Sequence, residues 1–350
     1  MWILLSLLIV ASNARADFSE LWHQMQENYQ KILGSIDQES FNSQYCTAHW
    51  ADCRKPLQDF LLGTPQEKFI DFNVPGLCWA YWNGFDHLNE WQLIYLQDCT
   101  REKTKFLLKR ISEHPIANLP CLVKEFECST LSLMHLFYLC RILETAPEND
   151  IHSLVEVGGG YGNLMRLAKQ MIPDLTGIMF DIPEMAAIQW LYLKTTLPET
   201  NVIFHTSKPD TFEEGAIHVL PASLIDAVKV KTDVFVSTFA LSESSDFFQK
   251  KVIQKDFFDA GICYVTGQLH GWNNYFVNHI NLHESIRNLY RCVLCVPSTN
   301  STQEAKSYEL IAFKDLEPSI LPRNLKKQKT VLAFTSIKAA SENEIVELTH

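Results

Sequence analysis

Residues 155–163 read Val-Glu-Val-Gly-Gly-Gly-Tyr-Gly-Asn, with four glycines in five positions between an apolar run and a stretch of helical spacing. The run 153–157 predicts a strand and 163–171 a helix, so the glycines occupy a strand-to-helix turn. Glycine there lets the backbone turn tightly and leaves the main chain open to close approach by a ligand. One or two glycines satisfy a tight turn alone, so four imply a nucleotide-type site at the carboxyl end of the first strand. A strand feeding a helix in this way also points to a mostly parallel sheet covered on both faces.

The rest of the second half follows that plan. Strands are predicted at 175–181, 217–220, 233–238 and 261–267, and helices at 184–195 and about 246–255. The apolar runs 292–297 and 308–313 leave no room for a helix between them, which predicts an antiparallel closing pair. In the first half, Phe18, Leu21, Trp22, Met25, Tyr29, Ile32 and Leu33 form one helical stripe, and Thr64, Pro65 and Glu67 mark a helix start. Residues 129–144 are apolar on nearly all sides, which predicts a buried helix with His135 as a satisfied core histidine. The expected class is α/β, a doubly wound, mostly parallel seven-stranded sheet behind an all-helical N-terminal region. The expected divisions are 1–16, 17–148, 149–320 and a flexible tail 321–350.

Spacing decides which nucleotide suits the loop. A G-x-G-x-x-G fingerprint fails, because counting from Gly158 and Gly160 the sixth position is Asn163, and counting from Gly159 the third is Tyr161. A P-loop fails because no Gly-Lys-Ser/Thr follows. The observed spacing is E-x-G-x-G-x-G, starting at Glu156, and a second acid, Asp181, ends the next strand. A carboxylate at that place accepts both hydroxyls of a ribose. Two acids around a glycine loop suit a cofactor that carries an ammonium and a ribose but no phosphates.

The segments EVGGGYG and FDIPEM resemble those of class I S-adenosylmethionine-dependent methyltransferases, in particular the small-molecule O-methyltransferases. A helical N-terminal region and Phe239-Ala240-Leu241-Ser242-Glu243 after the fourth strand look like the sugar O-methyltransferase family. The resemblance covers 151–313 and implies a class I methyltransferase sheet with S-adenosylmethionine as cofactor. Glu156 would hold the methionyl amino group, directly or through water. Gly158, Gly159, Gly160 and Gly162 would form the loop beneath the methionyl and ribose parts. Asp181 would take the ribose hydroxyls, and Ile182 would lie against the adenine. The acceptor would be a hydroxyl of a sugar, glycan or other small molecule.

Plant-type relatives place a basic histidine after the fourth strand, whereas residues 237–246 contain none. Glu243 is the first candidate for base or acceptor anchor, against a helix-capping pair in which Ser242 or Ser244 is the N-cap. His270 after the fifth strand is the second candidate, against an ordinary loop histidine.

The net charge is 30 − 41 = −11 and no long Lys/Arg run occurs, which predicts no nucleic-acid partner. No internal apolar run reaches 18 residues, which predicts no stable membrane insertion. Residues 2–11 are an apolar run followed by Ala14-Arg15-Ala16, the pattern of a cleaved secretory signal, against a cytoplasmic chain whose first helix begins apolar. Because S-adenosylmethionine is made in the cytosol, export favours the alternative of a non-catalytic, secreted binding module. Seven of the ten cysteines precede residue 141; Cys292 and Cys295 fall on opposite faces of a strand, which predicts free thiols there rather than a bridge or, with His279 and His283, a zinc site.

Overall fold

A computed structural model describes residues 2–64, 90–98, 102–109, 111, 128–144, 146, 150–268, 282–290, 292–297, 307–314, 332–335 and 346–347. The N-terminal helices are α1 (Trp2–Ser35), α2 (Gln38–Tyr45), α3 (Ala48–Gly63), α4 (Glu90–Gln97), α5 (Glu102–Leu108) and α6 (Thr130–Leu143). The α/β part follows as β1 (Ser153–Val157), α7 (Asn163–Met171), β2 (Thr176–Asp181), α8 (Pro183–Thr196), β3 (Val202–Phe204) and β4 (Ile217–Pro221). It continues as β5 (Val234–Thr238), α9 (Ala240–Glu243), α10 (Asp246–Gln254), β6 (Ile262–Gln268), α11 (Leu282–Leu289), β7 (Cys292–Pro297) and β8 (Ser307–Phe313). Two short strands, β9 (Leu332–Thr335) and β10 (Val346–Glu347), come last.

One sheet takes the order β10-β9-β7-β8-β6-β5-β1-β2-β4-β3. From β6 to β3 every pairing is parallel, and β8 pairs antiparallel with both β6 and β7. All seven expected strands are present, including the antiparallel closing pair. Three more were not foreseen. β3 has three residues, too few for a period-2 pattern to show. The tail 321–350, expected to be flexible, supplies β9 and β10, and β9 pairs with β7 and covers what is otherwise an edge strand. The chain moves outward from β1 through β2 to β4, then crosses back to place β5 on the other side of β1. The order in which strands are added therefore reverses between β1 and β5, where open α/β sheets form their crevice.

The helical stripe of α1 packs as its spacing requires, with Trp22, Met25, Tyr29 and Ile32 buried against the rest of the molecule. The backbone of α1 runs unbroken through residues 14–16, while side chains up to Asp17 lie outside those described. Among the described residues, no helix is long and apolar enough to cross a membrane. Ser129 caps α6 by accepting from Ser132 N at 3.1 Å, and every residue of that helix except Leu131 is buried. His135 on α6 meets the Asn163 amide at 3.1 Å, and burial, reinforced by the Arg166 charge, pushes its pKa down to about 3. It is the neutral core histidine its setting predicts. The Asn163 amide also donates to Ser132, and its carbonyl accepts from Arg166 and Tyr192, so one side chain joins α6, α7 and α8.

Before β6, four consecutive residues, Asp256 to Asp259, take positive φ of 50–59°. That is a left-handed turn, strained for residues with side chains. It sends Phe257 and Phe258 into the core, where they pack against Phe235 and Phe258 stacks on Phe180.

Candidate active site

The glycine loop lies at the carboxyl end of β1 in the crevice. Gly158, Gly160 and Gly162 have φ of 72°, 55° and 97°, a region that side chains disfavour. Protein neighbours impose a second demand. A Cβ on Gly158 would come within 1.9 Å of the Ala240 Cβ, and one on Gly159 within 2.5 Å of the Met179 side chain and 2.8 Å of the Glu156 carboxyl carbon. One on Gly162 would sit 3.3 Å from Leu193. The sequence spacing suggested that the glycines admit a ligand; at these three positions they also admit α8, α9 and the β1 and β2 side chains.

Glu156 projects from β1 directly under the loop and is 1% exposed. Its Oε2 is buried without a hydrogen-bond partner among the described residues. Burial, and then the nearby Asp181 charge, raise its pKa to about 8. Asp181 ends β2 and is tied on both oxygens: Oδ1 accepts from Ile182 N at 2.8 Å and Oδ2 from Gln189 Nε2 at 2.7 Å. Burial lifts its pKa to about 7 despite those two donors. Ile182 itself is buried and is the N-cap residue of α8.

A roof from the N-terminal helices covers this end of the sheet. Cys46, Trp50 and Arg54 stand four residues apart along α3 and its N-terminal approach, and all three lie close to acids at this end of the sheet. Arg54 makes a two-pronged pair with Glu184 in the first turn of α8, Nε to Oε2 at 2.9 Å and Nη2 to Oε1 at 2.9 Å, and Tyr29 donates to the same carboxylate at 2.8 Å. Asn42 and Gln38 each accept one further guanidinium hydrogen. The buried Cys46 thiol is pushed up to about 12, first by burial, with Glu184 and Asp181 adding to it against the Arg54 charge. Trp50 hydrogen-bonds Glu243. None of these contacts is legible in the sequence; the four-residue spacing of 46, 50 and 54 is the trace they leave there.

No protein-family model matches the chain, and no curated protein matches it. Solved structures resemble it over about half its length. One is human N-acetylserotonin methyltransferase in complex with S-adenosylmethionine, at 13% identity over 53% of this chain and 54% of that one, TM-score 0.31. Another is an O-methyltransferase from neocarzinostatin biosynthesis in complex with S-adenosylhomocysteine, at 16% identity, 52% and 56%, TM-score 0.34. A third is a small RNA methyltransferase, at 14% identity, 53% and 25%, TM-score 0.38. This chain thus spans little over half of the first two and a quarter of the third. The strand order and crossovers described above settle the architecture without them. The fold is of the class I methyltransferase type.

In this methyltransferase-type fold, the turn after β5 faces the glycine loop across the crevice. Phe239 there holds φ 65°, a strained setting for a non-glycine residue, and its N–H donates to Thr266 O on β6 at 2.9 Å. Ser237 braces the turn by donating to Val157 O and accepting from Leu241 N, each at 3.0 Å. Glu243 closes α9, half-buried, and burial raises its pKa to about 7 while the Trp50 hydrogen bond draws it back. Neither Ser242 nor Ser244 is the cap expected there. Ser245 caps α10, accepting from Phe248 N at 3.2 Å, which leaves Glu243 outside the capping arrangement. His270 and His279 lie outside the described residues, as do the side chains of His283, Cys292 and Cys295. Cys46, Cys53 and Cys263 are free thiols. Among the described residues no cluster of His, Cys, Asp or Glu could hold a metal ion.

Proposed function

We propose that this chain is an S-adenosylmethionine-dependent O-methyltransferase acting on a hydroxyl of a sugar or other small molecule. The observation that carries the proposal is a buried carboxyl group, Glu156, and a half-buried one, Asp181, both with unfilled acceptor capacity, at the ends of adjacent strands beside a positive-φ loop. A buried carboxyl oxygen without a donor is costly, and a ligand ammonium both satisfies and ionises it. Glu156 thus fits the methionyl amino group and Asp181 the ribose. Bound there, the cofactor supplies a methyl group activated by its sulfonium.

The protein's share is alignment, water exclusion and one proton. The α2–α3 roof closes the crevice on the Asp181 and Glu243 side. Glu243, with a pKa near neutrality, is suited to take the acceptor's hydroxyl proton, and Trp50 holds its carboxylate in place. Titration calorimetry with S-adenosylmethionine tests the cofactor assignment. Asp181→Ala and Gly160→Val are expected to abolish measurable binding, and unchanged affinity in both removes the assignment. A methyl-transfer screen with labelled donor over a panel of glycans and small alcohols identifies the acceptor.

The apolar run 2–11 favours a second proposal, an exported module that keeps the fold without catalysis. Mass spectrometry of heat-released small molecules separates the two: retained S-adenosylmethionine or its demethylated product favours the enzyme.

A further inference from the structure

We infer that Gln189 is a positioning residue that sets Asp181 to receive a vicinal diol, and so makes the site selective for an intact ribose. The inference rests on the cofactor assignment above and concerns a residue outside the motifs that suggested it. Gln189 lies on α8, fully buried, and its amide nitrogen donates to Gly160 O at 2.9 Å and to Asp181 Oδ2 at 2.7 Å. The Gly160 carbonyl is only an acceptor, so the orientation of the amide is forced and both its hydrogens are used. The bare Gly162 allows this reach, because α8 passes with the Gln189 Cα 3.7 Å from where a Cβ would stand.

A carboxylate has about two acceptor positions on each oxygen. On Asp181, Ile182 N–H fills one on Oδ1 and Gln189 fills one on Oδ2. One position per oxygen is left on a carboxylate that can no longer rotate. That is the complement of two adjacent hydroxyls. The same amide fixes the glycine loop through Gly160, so the loop and the diol acceptor are held as one unit. The Gln189 Oε1 is itself buried without a partner among the described residues, a further acceptor waiting for a donor at this place.

The test is calorimetric binding of S-adenosylhomocysteine and of its 2′-deoxy and 3′-deoxy counterparts to wild type, Gln189→Leu and Gln189→Met, with circular dichroism to confirm folding. Methionine keeps the unbranched length and near volume of glutamine without setting a second acid against Asp181, so it guards against a leucine variant that fails to fold. Wild type is expected to prefer the intact ribose by about tenfold or more over either deoxy compound, roughly one charge-assisted hydrogen bond. In the folded variants that ratio is expected to fall toward one, whereas a merely structural role weakens all three compounds alike. A preference that survives in both variants overturns the inference, as does a wild type that binds S-adenosylhomocysteine without any preference. A wild type that binds none of the three overturns the cofactor assignment itself, and the inference with it.

Discussion

Gly158 is held by two separable constraints, a left-handed backbone and the Ala240 methyl pressed against it. Gly158→Ala is expected to destabilise the protein by about 2–4 kcal/mol, the sum of a positive-φ penalty and overpacking. Adding Ala240→Gly removes the clash but not the backbone cost, so denaturant titration of the double variant should recover about half of the loss; no recovery would mean the contact is not made. Glu156 offers a test through pH. Its pKa rises from 4.5 to about 8 on folding, so the folded state binds the proton more tightly than the unfolded chain. The stability this contributes is complete below about pH 4.5 and is lost as pH climbs through 8. Glu156→Gln cannot titrate, so in ligand-free protein its melting temperature relative to wild type is expected to rise between pH 5 and 8.5. A difference that stays flat across that window contradicts the buried, unpartnered carboxyl. Asp181 shifts in the same sense but is present in both proteins and cancels.

At the scale of elements, the contact that matters is α3 on α8. The Arg54–Glu184 pair is buried at 5% and 0% exposure, and the acid it holds lies three residues beyond Asp181. Removing one partner strands a buried charge, so Arg54→Ala is expected to cost about 3–5 kcal/mol in urea unfolding. Replacing both partners by apolar residues of similar size, Arg54→Met with Glu184→Leu, is expected to cost far less, because neither charge is then left unpaired. Equal losses in the single and double variants would show that packing, not charge pairing, dominates. The same face of α3 carries Trp50 to Glu243, so under the proposed function the helical region contributes to the site. That role is invisible in the amphipathic pattern of the N-terminal helices, which shows only that each has one buried face.

For the whole molecule, α1 buries its stripe partly against α8, Tyr29 reaches Glu184, and Ser245 donates to Gln44 O on α2. The N-terminal helices and the sheet are therefore expected to melt in one calorimetric transition, with calorimetric and van't Hoff enthalpies equal. Two resolved transitions would make them independent domains. What sequence alone determined was whatever depends on near neighbours in the chain: seven strands, the helical first half, the glycine turn and the acids on its two strands. Period-2 and period-3.6 patterns and positive-φ glycines are local properties, so they can be read without knowing the fold. The left-handed turn at 256–259, the strands of the tail, the cap at Ser245 and the pairing of Gln189, Trp50 and Arg54 with their acids were decided only in three dimensions. Arg54 and Glu184 stand 130 residues apart, and no local pattern encodes a partner at that distance. Their meeting follows from packing α3 across the end of a sheet that must already be wound.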